Sequence, residues 1–263
     1  MRIALGQCRS GEDVPANLRT IGGIVEETAD LGAEMVVFPE YATYLKKTVD
    51  LTFPRVAEPL NGPVCDVLAG LAARHRMVVV TGMVETSDEP GRVHNTLVVH
   101  GPDGAQLTAY RKIHLFDAQG YTESRFVKAA PAPDPVVFDA GGMRFGLMTC
   151  YDLRFPELPR ALTEAGAQVL VNCAAWVPGE LKLRQWQVLS AARAIENGAY
   201  LLGACQAEPL STGHSLVVDP FGSVLEELGP APGILMTDIC PEKVAAARER
   251  FPTVAQHRRP SQI

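Results

Sequence analysis

The feature that most constrains this chain is a series of short, almost wholly apolar runs, each followed by a turn or a helix-like segment. Residues 34–38, 77–83, 143–148, 168–173 and 199–205 are of this kind. They are too short for buried helices and lack polar alternation, which is the pattern of strands covered on both faces. Segments 15–31, 62–76, 156–165 and 181–196 lie between them and read as helices. Thr96–His100 and Gln106–Tyr110 flank Gly101-Pro102-Asp103-Gly104, a hairpin signal. Helical crossovers together with hairpins predict an α/β fold with mixed sheets. At 263 residues, with no long linker, the chain is expected to form one domain over 1–263. The proline-rich stretch Ala129–Pro135 is too short to divide it and reads as a surface loop.

Composition removes several classes of function. The net charge of −6 gives no electrostatic reason to expect nucleic acid or anionic lipid as a partner. No window is long and apolar enough for a transmembrane helix. The opening Met1–Cys8 has too few apolar residues for a signal peptide and reads as a first strand, so a cytoplasmic protein is expected. The six cysteines lie far apart without a Cys-x-x-Cys pair, and the six histidines are equally dispersed. That spacing argues against zinc and a disulfide framework, and no metal or cofactor is expected. Cys8, Cys173 and Cys205 fall within apolar runs and read as core fillers.

Cys150 differs from these. It ends the run Met143–Thr149 and precedes Tyr151-Asp152-Leu153-Arg154-Phe155-Pro156-Glu157, where Pro156 suits the first position of a helix. A cysteine where a strand gives way to a helix is lifted clear of the sheet among free backbone N–H groups. The bland explanation is another small buried thiol. Glu40 and Lys112 also follow predicted strands, at the sheet edge where ligand sites gather. Singly they read as a loop carboxylate and an edge-strand charge. Together they supply what a thiol needs near neutral pH: a base, and a positive charge that also steadies an oxyanion. The Tyr151 N–H is the natural second donor.

These residues resemble the nitrilase superfamily, the carbon–nitrogen hydrolases. Phe38-Pro39-Glu40, Arg111–Phe116 and Thr149-Cys150-Tyr151-Asp152 are similar to its three catalytic blocks, in the same order. Ala4–Gln7, Ala192–Asn197, Gly213-His214-Ser215, Asp219–Gly222 and the tail Gln256-His257-Arg258-Arg259-Pro260 fit as well. The resemblance implies a four-layer α-β-β-α sandwich that dimerises through helices near the nucleophile strand. It implies Cys150 as nucleophile, Glu40 as general base and acid, Lys112 as oxyanion stabiliser and Glu123 as an auxiliary glutamate orienting lysine and substrate.

The blocks look most like the Nit branch, which contains omega-amidase and deaminated glutathione amidase. The implied activity is release of ammonia from a small carboxylate-bearing amide through a thioester. Arg154 either holds the substrate carboxylate or forms an ion pair with Asp152 or Glu157. Trp176 either shapes the pocket or simply packs. Gln185-Trp186-Gln187 replaces the branch's His-Trp-Glu, and residues 174–180 also depart from its pattern. Three readings therefore stand: this amidase, an N-carbamoyl amino acid hydrolase that also releases carbon dioxide, and a non-catalytic scaffold keeping the fold. A Cys–His enzyme using His114 is a weaker rival.

Overall fold

The computed structural model describes residues 1–131 and 134–258. Ala132 and Pro133 of the proline-rich stretch, and Arg259 and Pro260 of the tail motif, lie outside the described residues. In chain order the elements are β1 (Arg2–Gln7), α1 (Val14–Asp30), β2 (Met35–Val37), α2 (Phe53–Val56), α3 (Pro63–His75) and β3 (Val78–Thr86). Then come β4 (Val93–His100), β5 (Gln106–Arg111), β6 (Val137–Ala140), β7 (Met143–Thr149), α4 (Glu157–Glu164) and β8 (Val169–Ala174). The last are α5 (Lys182–Asn197), β9 (Tyr200–Cys205), β10 (Leu216–Val218), β11 (Val224–Glu227), β12 (Gly233–Asp238) and α6 (Pro241–Arg250).

Two six-stranded mixed sheets result, ordered β12-β1-β2-β3-β4-β5 and β11-β10-β9-β8-β7-β6. In the first, β1, β2 and β3 run parallel and β3, β4 and β5 form an antiparallel meander. In the second, β7, β8 and β9 run parallel between antiparallel edges. The unbroken apolar runs have a direct cause. Along β1 to β4, Ile3, Leu5, Met35, Val37, Val78 and Val80 pack in one core with Phe145, Leu147 and Val169 of the other sheet. The alternate residues Ala4, Val36, Val79 and Val98 pack under Ile21 and Val25 of α1 and Leu68 and Ala72 of α3. A period of two puts one set inward and one outward, and both are buried. Leu158 and Leu162 of α4 and Trp186 and Ala194 of α5 cover the second sheet. The layering is the expected α-β-β-α sandwich.

Local differences lie near the site. The segment after β2, irregular in the sequence, includes the short α2 around buried Phe53. Cys150 does not lead straight into a helix but opens a 3-10 turn, Cys150–Arg154, so Pro156 caps α4 instead of starting it. The turn lets the chain change direction immediately after Thr149.

Candidate active site

Glu40, Lys112, Glu123 and Cys150 line one cavity of about 120 Å³ at the C-terminal ends of the parallel strands. Glu40 follows β2, Lys112 follows β5, Cys150 follows β7, and Glu123 opens a 3-10 turn, Glu123–Arg125, on the loop beyond β5. Tyr41, Phe116, Tyr121, Tyr151, Trp176 and Leu210 supply much of the wall.

The turn carrying Glu40 is pressed onto β3. A Cβ at Gly82 would lie 2.4 Å from the Pro39 carbonyl oxygen and 2.7 Å from the Glu40 Cα, so only glycine fits there. Cys150 has a left-handed backbone (φ 48°), an uncommon conformation for a non-glycine residue. Buried Asp152 holds it there. Its Oδ2 accepts from Thr149 N at 2.8 Å and the Tyr110 hydroxyl at 2.6 Å, and its Oδ1 accepts from His114 N at 3.1 Å. The Asp152 carboxylate thus ties the Cys150 turn to the strand end that carries Lys112. His114 is held by the same carboxylate, Nδ1 to Oδ1 at 2.7 Å, and stacks on Phe155, so its ring serves this tie.

Hydrogen bonds distinguish the two glutamates. Glu123 Oε1 accepts from the Tyr41 hydroxyl (3.1 Å) and Asn95 Nδ2 (3.2 Å); its Oε2 accepts from Lys112 Nζ (2.9 Å) and Phe116 N (2.7 Å). Glu40 Oε1 accepts from Asn95 Nδ2 (2.7 Å) and Lys112 Nζ (2.9 Å). Its Oε2 accepts from Ala175 N (2.7 Å), and the carboxylate also lies within hydrogen-bonding reach of the Cys150 side chain, leaving acceptor capacity for a proton. Glu123 is saturated by its frame; Glu40 is not.

Burial works against the Lys112 ammonium, but Glu123 and Glu40 outweigh it and hold its pKa well above the ordinary value. The Cys150 thiol is also pushed well up, first by burial and then by the Glu40 charge, against the pull of Lys112. A thiol held in this way gives up its proton more readily to a base beside it than to water. Burying three charges costs several kcal/mol per ion before pairing, a burden with no structural return for a mere scaffold.

Tyr151 and Trp176 line the cavity. Trp176 is fully buried and its Nε1 donates to the Lys182 carbonyl at 2.9 Å. Arg154 is not among the lining residues. Its Nη2 donates to Gln185 Oε1 at 2.7 Å and its guanidinium lies 4.9 Å from the Trp176 ring centroid. Among the described residues Arg154 makes no ion pair with Asp152 or Glu157. Sequence reasoning missed Asn95, which bridges both glutamates, and Lys182, a buried lysine lining the cavity. Asn95 carries no sequence signal. Lys182, at the start of α5, reads as a solvated helix-end charge.

With that geometry in view, the comparisons agree. Residues 2–249 match the carbon-nitrogen hydrolase family, and the chain belongs to it. It is 42% identical to Hydrolase Rv0480c of Mycobacterium tuberculosis, covering 95% of this chain and 93% of that one. It is 33% identical to the deaminated glutathione amidase of Escherichia coli O157:H7, covering 98% and 97% respectively. Its fold superimposes on Saccharomyces cerevisiae Nit3, a nitrilase superfamily member, with a TM-score of 0.87 at 27% identity, covering 98% and 97%. The protein is a carbon–nitrogen hydrolase of the amidase kind. Among the described residues no helix is long and apolar enough to cross a membrane.

Proposed function

We propose that the protein is a thiol-dependent amidase that releases ammonia from a small, carboxylate-bearing amide through a Cys150 thioester. The observation that carries this is the Glu40–Lys112–Cys150 cluster in one cavity, with Glu40 Oε2 still able to accept a proton. Similarity to a deaminated glutathione amidase supports the substrate class.

The chemistry runs in two halves. Glu40 takes the thiol proton as the sulfur adds to the amide carbon. The oxyanion rests on Lys112, whose ammonium has three protons for two carboxylates and the substrate, and on the Tyr151 N–H. That N–H sits at the second position of the 3-10 turn, where no carbonyl within the turn reaches it. Glu40 passes its proton to the leaving nitrogen, the C–N bond breaks and ammonia departs. Water then gives a proton to Glu40 and attacks the thioester; the proton returns to sulfur as the acid leaves. Glu123 keeps Lys112 aimed.

A homodimer belongs to the same reading. Val188 and Ile195, 56% and 52% exposed and seven residues apart on α5, form an apolar stripe, with exposed Leu181 (60%) just before the helix. A two-fold axis would cover both copies of it at once.

The test is ammonia and carbon dioxide release over a panel of ω-amides and carbamoyl amino acids, with intact-mass analysis for an acyl adduct. Ammonia alone, an adduct on wild-type protein and silence in Cys150→Ala are expected. Carbon dioxide would redirect the assignment to a carbamoylase, and turnover by Cys150→Ala would end it.

A further inference from the structure

Among the described residues, buried Glu85 pairs with Arg111, Lys112 with Glu40 and Glu123, Arg193 with Glu196 and Asp219 with Lys243, while buried Asp152 is held by hydrogen bonds from Thr149 N, the Tyr110 hydroxyl and His114 N. Lys182 is 3% exposed, lines the cavity, and has neither a hydrogen bond nor an ion pair from its ammonium among the described residues. Its Nζ lies 4.5 Å from the Trp176 ring centroid and 5.1 Å from that of Phe116. Ring faces only partly compensate a desolvated cation. The backbone also accepts strain here, since Leu181, immediately before it, is left-handed (φ 59°). A buried ammonium that lines a ligand cavity, with no charged partner among the described residues, is suited to receive an anion.

We propose that Lys182 anchors the anionic end of the substrate, holding its carboxylate between Phe116 and Trp176 while the amide carbon lies at Cys150. This deepens the amidase reading and rests on it for the identity of the substrate. The other cations fit worse. Arg154 is engaged by Gln185 and stands outside the lining. Lys46 is paired with Asp50 at 2.7 Å, and Lys47 is exposed at the mouth, where water screens it. Burial holds the Lys182 ammonium below its ordinary pKa, with Arg154 adding to that effect and the nearby Cys150 opposing it. A bound carboxylate would reverse that.

The test compares succinamate with butanamide, which replaces the carboxylate by a methyl group, using wild type, Lys182→Met and Arg154→Met. In Lys182→Met the ratio of kcat/KM for succinamate over butanamide should fall at least about tenfold, through KM. Arg154→Met should change the ratio less. An unmoved ratio, an equal loss on both amides, or a larger effect of Arg154→Met overturns the assignment. A second arm titrates succinate into Cys150→Ala, followed by tryptophan fluorescence. Adding Lys182→Met should weaken binding at least about tenfold. Should wild type release no ammonia from either amide, the amidase reading fails, yet this arm still decides the anchor. Succinate bound equally well without Lys182, or not at all, overturns it.

Discussion

Glu40 and Glu123 press on the same ammonium, but only one keeps a lone pair free, and that difference gives them separate work. Replacing Glu40 by glutamine should lower kcat by about 10²–10⁴-fold, the usual worth of a general base. It should also do something a merely structural role would not. The Glu40 charge helps push the Cys150 thiol up, so neutralising it moves the thiol back down. The pH profile of iodoacetamide alkylation should therefore shift to lower pH in Glu40→Gln even as turnover collapses. A profile that stays put or moves upward would show that the two groups do not communicate. The left-handed backbone of Cys150 belongs at this scale too, because Asp152 sustains it through donors 38 and 42 residues earlier in the chain, His114 and Tyr110.

At the scale of elements, the site depends on one close approach. The chain leaving β2 crosses β3 at Gly82, so the Glu40 turn sits directly on a neighbouring strand. Gly82→Ala has only backbone to displace, and should cost about 1–3 kcal/mol of stability. Because misplacement by about 1 Å is worth roughly 10²-fold in rate, kcat/KM should fall by a similar factor. Gly23, mid-α1, is the control. No heavy atom lies within 4 Å of a Cβ built there, so Gly23→Ala should raise stability by about 0.5–1 kcal/mol and leave kinetics alone. Thermal melts and steady-state rates on the two variants check both halves; a harmless Gly82→Ala would mean the turn adjusts more freely than its contacts imply.

For the whole molecule, the decisive arrangement is two sheets packed face to face. Glu40 and Lys112 come from the first sheet, Cys150 and the Ala175 N–H from the second, and the Ala175–Glu40 bond spans the two. The outer α5 stripe predicts a dimer, so Val188→Glu with Ile195→Glu should shift sedimentation from dimer to monomer. An unchanged monomeric wild type would dismiss that interface.

Much of this was open to reading because the information is local. Runs such as 77–83 and 168–173 announce strands buried on both faces, Pro39 stops β2 just before Glu40, and the Thr149–Glu157 block announces a change of direction at Cys150. Periodicity and turn chemistry act over a few residues, so sequence alone determined the order of elements and the class of fold and, with the family's blocks, singled out Cys150, Glu40 and Lys112 for the proposed chemistry. The rest is pairing across the chain. Glu123 is an ordinary loop acid until Tyr41, Asn95, Lys112 and Phe116 close on it. The partners Arg154 meets, Gln185 and the Trp176 ring, follow from no local pattern, and Lys182 looks solvated until the turn before α5 drives it inward. Which charges find partners, and which one is left without, was decided only when the tertiary structure removed water from them.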